Sequence, residues 1–226
     1  MTMPQTMPQS VPVAIPRARQ TGWWLLATLT LITVGTAWFI NEVVFTRDVF
    51  HRLLDARLDA NRVDAQFDFL HQIQRWGYVA APLLLLVRLT VVALTAQLFL
   101  LLTEEVAFAR VFLATAWAQV AVCAAGIARV VYLLVLPSAE ISHATLAVIP
   151  GSLASVLMYP QDHQRPLYAL LSLTSVFELL WCVILFVALR QIARVARRPA
   201  LLATAGVWTL FATLQWAVTW YVSAAS

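Results

Sequence analysis

Leu167 to Leu189 reads LYALLSLTSVFELLWCVILFVAL, 23 residues with one charge, Glu178. At 1.5 Å per residue a helix of that length covers about 34 Å, enough to cross a hydrocarbon core of about 30 Å. A soluble core offers no place for such a run. Glu178, the twelfth residue, is expected near the bilayer centre, where an ionisable group is costly and needs a partner. Arg190, Arg194, Arg197 and Arg198 follow directly. They form a basic collar suited to a cytoplasmic membrane face.

Four more apolar runs share this character: 23–45, 78–102, 111–136 and 200–222. The first opens on Trp23-Trp24 and the last closes on Trp216, Trp220 and Tyr221, the amphipathic aromatics that favour a membrane–water boundary. Hydrophobic residues make up 62% of the chain and charged ones 12%, against a charged share of roughly 25% in soluble domains. The expected fold is therefore all-α, a polytopic integral membrane bundle of five transmembrane helices over 21–226. Residues 1–20 carry proline at 4, 8, 12 and 16 and are expected to form a disordered tail. They contain no apolar stretch of signal-peptide type, so the first span is expected to serve as the targeting signal.

Between the first two spans lies a polar segment, 46–77, with arginine at 47, 52, 57, 62 and 75 and aspartate at 48, 55, 59, 64 and 68. Its apolar residues recur at helical spacing in two sets, Val49 to Leu58 and Val63 to Ile73. One straight helix would place these sets on opposite faces. The reading is two short amphipathic helices with a kink near Asn61, lying on the membrane or capping the bundle. Residues 138–166 hold a second interruption, ATLAVIPGSLASVLMYP, too short and too broken by Pro150-Gly151 to cross, and expected to be interfacial or re-entrant.

Five crossings put the termini on opposite sides. With the N-terminus cytoplasmic, arginines 17, 19, 110, 190, 194, 197 and 198 face inward, and the density of the collar decides the orientation. The net charge of +4 has no basic groove or base-stacking set behind it, so no nucleic acid is expected as a partner. The expected partners are the bilayer and other membrane proteins. No small-molecule substrate is identified by these residues.

Three ionisable residues lie inside spans: Arg88, Arg129 and Glu178. Counted from the outer span ends, they fall about 15, 11 and 17 Å deep, close enough in level to form one intramembrane charge cluster. A buried pair that fixes helix register is a more economical reading than a transport site. No metal is expected, because His51, His71, His143 and His163 lie in loops without HxxxH spacing. No cofactor is expected either, since haem would need histidines within the spans. Cys123 and Cys182 sit in apolar runs and read as small packing residues. Glu104-Glu105 and Arg110 do not have the EExxxR spacing of CAAX-type intramembrane proteases, and no catalytic residues are assigned.

From about Val106 onward the chain resembles the Yip1 family of five-span membrane proteins. The resemblance rests on PGSLASVL with its following proline, and on LLSLTSVFELLWCVILFVALRQIARVARRPALLAT with Phe177, Glu178 and Trp181 near mid-helix. It implies a cytoplasmic N-terminus and no catalytic centre. Eukaryotic members act in vesicle trafficking and bind small GTPases, but the DLYGP-like motif before their first span is absent here, so GTPase binding is not carried over. Two functions follow as expectations. The first is a non-enzymatic membrane scaffold or accessory protein. The alternative is a small permease or transporter subunit, which needs a polar path lined from Arg88, Arg129, Glu178, Gln97, Gln119 and Gln215. So few polar groups favour the scaffold.

Overall fold

In the computed structural model the described residues are 16–54, 60–137, 140–142, 145–146, 148–159, 166–172 and 174–225. Among them the chain is helical, with one isolated antiparallel bridge, Ser152 to Ser175. The elements are α1 (Pro16–Phe39), closed by a π-helical turn (Ile40–Val44), α2 (Arg47–Leu54), α3 (Ala60–Leu101), α4 (Phe108–Val135), α5 (Leu153–Leu157), α6 (Pro166–Ser172), α7 (Val176–Gln191) and α8 (Arg197–Ala225). Four of them are long and apolar enough to cross a membrane, over Gly22–Val44, Arg62–Leu101, Phe108–Val135 and Arg197–Tyr221. These match four of the five expected spans.

Helices α3, α4, α7 and α8 close a ring, each packed on two neighbours, and α1 lies outside against α3 and α4. The core of the ring is built from small and branched residues, among them Ala93, Ala96, Leu100, Ala114, Ala118, Leu185, Leu189, Ala203 and Val207. A second cluster joins Leu29 of α1 to Leu85 and Leu89 of α3 and to Ala116 and Cys123 of α4. Alanine on α4 lets three helices approach it at once. Gly126 continues that face, with Thr36 of α1 at 3.6 Å from where its Cβ would stand. Outward from the bundle, Leu83, Leu94, Leu98, Leu134, Leu202 and Leu210 are exposed. Such a surface is a liability in water and suits contact with lipid.

The hydroxyls of many span threonines are satisfied locally. Threonines 28, 33, 36, 90, 95, 204, 209 and 219 each donate a hydroxyl to the carbonyl four residues earlier. Gln97 Nε2 donates to Val106 O at 2.7 Å and so ties α3 to the turn at 102–107. At that same end Ala196 N donates to both carboxylate oxygens of Glu104, each at 3.3 Å. The collar closes α7 there. Val195 N donates to Leu189 O at 3.1 Å, with Arg194 in the left-handed conformation at φ 59° where glycine is usual.

The structure departs from the sequence reading in three places. Helix α1 begins at Pro16, a residue suited to the first helical position, so 16–20 of the expected tail are helical; residues 1–15 lie outside those described. The polar segment forms two helices, but the second is not a short one. Its second half is the start of α3, which runs 42 residues, about 63 Å, so that Asn61 and Pro82 both lie inside one helix. Its first half, α2, packs against α3, with Phe50 and Phe67 rings edge to face at 5.5 Å and Arg47 bonded to Asp68 at 2.8 Å. The opposed apolar stripes meet across this pair, burying Val49 and Val63, and need no kink at Asn61.

The third departure concerns 167–189. It is not one helix: α6 ends at Ser172 and α7 begins at Val176, leaving α7 only 16 residues, about 24 Å. Between them the backbone turns outward to pair. Leu153 N donates to Thr174 O at 2.9 Å, and Val176 N donates to Gly151 O at 3.0 Å. Ser175 then caps α7, its Oγ accepting from Glu178 N at 3.0 Å, while Ser152 caps α5 by accepting from Ser155 N. Gly151 permits this close pairing, because its φ of 73° is one that other residues rarely adopt. The re-entrant element expected from 138–166 is thus bonded to the start of α7.

Candidate functional site

Each helix of the ring presents one face to a partly open cavity of about 340 Å³. Arg88 and Val92, four residues apart, face it from α3, and Val122 faces it from α4. Glu178 and Trp181, three apart, line it from α7. Helix α8 supplies a stripe at helical spacing: Trp208, Phe211, Ala212, Gln215 and Thr219.

Arg88 and Glu178 arrive at the same level by simple arithmetic. Each lies 13 residues from the end of its helix at the 102–107 turn, Leu101 for α3 and Gln191 for α7, or about 20 Å. Arg88 is close enough to act electrostatically on Glu178, yet no ion pair within 4.0 Å joins them. Neither side chain makes a hydrogen bond to a described residue. The two charges therefore face a shared space instead of each other.

Arg129 stands apart. It lies 21 residues past Phe108, about 32 Å from the same end, and its Nη2 donates to Leu146 O at 2.9 Å. That bond anchors the 138–166 connection to α4. Of the expected cluster of Arg88, Arg129 and Glu178, two residues share the cavity and Arg129 bonds elsewhere. Of the glutamines considered for a polar path, Gln97 bonds the 102–107 turn and Gln119 is buried in α4; Gln215 alone of the three lines the cavity.

The residues that the sequence reading missed are aromatic. Trp181, Trp208 and Phe211 wall the cavity on the α7 and α8 side. Their i, i+3 relation to Glu178 and to one another was available, but each reads equally well as a lipid-facing or packing residue until the helices are placed. The capping pattern Ser175-x-x-Glu178 was also legible, and it marks a helix start where hydropathy is continuous.

Away from this cavity, α2 and the start of α3 carry a partly exposed network of charged groups. Arg47 reaches Asp64 at 3.6 Å and Asp68 at 2.8 Å, His51 bonds Asp64 at 3.0 Å, and His71 approaches Glu42 at 3.6 Å. Among the described residues no group of three His, Cys, Asp or Glu is placed to hold a metal ion; His143 and His163 are not described. The collar residues Arg190, Arg194, Arg197 and Arg198 are exposed, all at the end of the bundle that carries Arg110.

No family model, curated protein or solved structure matches this chain, so what it does is argued from the site itself.

Proposed function

We propose that this chain is a non-enzymatic integral membrane protein whose helical ring holds a small amphipathic molecule, in the manner of a small permease or transporter subunit. The observation that carries the reading is the cavity, where Arg88 and Glu178 face one space without pairing. Groups kept only for register would be expected to join directly, since an unpaired charge in a low-dielectric interior is expensive. A volume of about 340 Å³ is at the lower end of the range for small-ligand sites, roughly 300–1,000 Å³. Five crossings belong to this proposal. Helix α7 alone is short of the bilayer, and α6 with the bonded α5 segment would complete a composite fifth crossing.

Orientation is part of the same reading. Exposed Arg110, Arg190, Arg194, Arg197 and Arg198 at one end support a cytoplasmic N-terminus. In a background lacking Cys123 and Cys182, Asp68→Cys should react with an impermeant thiol reagent on intact cells and Arg194→Cys should not. The reverse pattern inverts the topology.

The scaffold reading has one observation of its own. Among the described side chains of α1 only Leu29 is fully buried, which leaves that helix free to pack on another membrane protein.

Ligand binding is tested by filling the cavity from Ala212, which lines it without bearing charge. Across twelve-carbon amphiphiles with different headgroups, at least one should raise the unfolding midpoint of the detergent-solubilised wild type by several degrees, as ligand binding to the folded state requires. Ala212→Phe should abolish that rise. Equal shifts in both proteins, or none in the wild type, would contradict the proposal.

A further inference from the structure

We infer that the ligand is a zwitterion, with its ammonium group held by Glu178 among Trp181, Trp208 and Phe211 and its anionic group held by Arg88. The inference rests on the reading of the cavity as a ligand site. It adds the ligand's charge and its direction of binding.

Charge balance comes first. Arg88 and Glu178 are opposite in sign, line one cavity, and among the described residues make no ion pair within 4.0 Å and no side-chain hydrogen bond. A bound cation would satisfy Glu178 and leave Arg88 uncompensated; a bound anion would do the reverse. Only a molecule carrying both signs answers both groups at once, and in a low-dielectric site each unanswered charge weakens binding.

The walls assign the direction. Trp181 lies one helical turn from Glu178 on α7, and Trp208 and Phe211 lie on the neighbouring α8. Aromatic faces attract cations, ammonium groups above all, so the α7–α8 side is built for positive charge. From α3 and α4 the cavity is lined by Val92 and Val122 beside Arg88, and neither helix contributes an aromatic ring to it. Arg88 itself presents a planar fork of donors that matches a carboxylate or a phosphate. Gln215 and Thr219 add hydrogen-bonding capacity on α8, beside the apolar Leu214 and Val218.

One chemistry serves two sources here, a zwitterionic lipid headgroup and a free zwitterion such as a betaine. Binding is measured by titration calorimetry on the purified full chain in maltoside micelles. The probes are dodecylphosphocholine, dodecyltrimethylammonium and methyl dodecyl phosphate, with chainless glycerophosphocholine and glycine betaine as the free forms. Dodecylphosphocholine should bind at least about tenfold more tightly than either singly charged amphiphile. Glu178→Gln should lose the preference over the anion, and Arg88→Gln the preference over the cation. Chainless probes that bind as tightly as the chained zwitterion assign the site to a free solute, and chained binding alone assigns it to a lipid.

The comparison among amphiphiles on the wild type needs no variant to fold. If a singly charged amphiphile binds as tightly as the zwitterion, and Ala212→Phe blocks it, the zwitterion inference is overturned while the ligand site stands. If no probe binds in a way that Ala212→Phe reduces, both fall.

Discussion

Gly206→Val should lower the unfolding temperature of the detergent-solubilised protein by about 3–10 °C, and Phe99→Leu in the same chain should restore most of the loss. A Cβ at 206 would lie 2.6 Å from Cζ of Phe99 and 2.8 Å from both of its Cε atoms, where no real contact is tolerated. The ring cannot simply step aside. Phe99 packs against the core shared by the four helices of the ring, so its displacement is felt by α4 and α7 as well as α8. Overpacking of this kind costs about 1–3 kcal/mol, and a chain of this size responds with roughly 2–4 °C per kcal/mol. Shortening Phe99 removes the atoms that collide, so the double variant should be more stable than the sum of its parts. Strictly additive losses would show that α3 and α8 do not meet at this pair.

That contact illustrates what the sequence could and could not disclose. The run at 123–126 reads as a close-approach surface, and Gly126 does face Thr36 of α1. Gly206 lies in an equally apolar run but gives no sign of its partner, because a small residue specifies that something comes near without specifying what. The four long helices were legible for a simple reason: uninterrupted apolar length has few other uses. The shared level of Arg88 and Glu178 was legible too, because rise per residue converts sequence position into depth. Arg129 was grouped with them because its depth was counted from an assumed span end; from the helix bounds it lies about 12 Å further from the 102–107 turn than they do.

Two misreadings have one cause, hydropathy standing in for hydrogen bonding. Residues 167–189 are continuously apolar, yet Thr174 and Ser175 commit their backbone and side chain to Leu153 and Glu178, and the helix restarts. Serine and threonine compete with helical bonding in this way, and the change of apolar content is too slight to register. In 46–77 the opposed stripes suggested two short helices divided near Asn61, and what the sequence hid was that the second continues into a span. The stripes pack across α2 and α3, and α3 continues without interruption from Ala60 into its apolar half.

The central claim is that the cavity between α3, α4, α7 and α8 is occupied in the membrane. Its consequence is all-or-none: a filled cavity has no room for the ligand, whatever the ligand's identity. Ala212 lies on the wall between Trp208 and Gln215, so a phenylalanine there would take up the ligand's space while leaving Arg88 and Glu178 unaltered. The direct measurement is native mass spectrometry of the protein released from the membranes in which it was made. The wild type should carry the added mass of one small molecule and Ala212→Phe should appear at its bare mass. A wild type that flies bare, or an equal adduct on both proteins, would contradict the account.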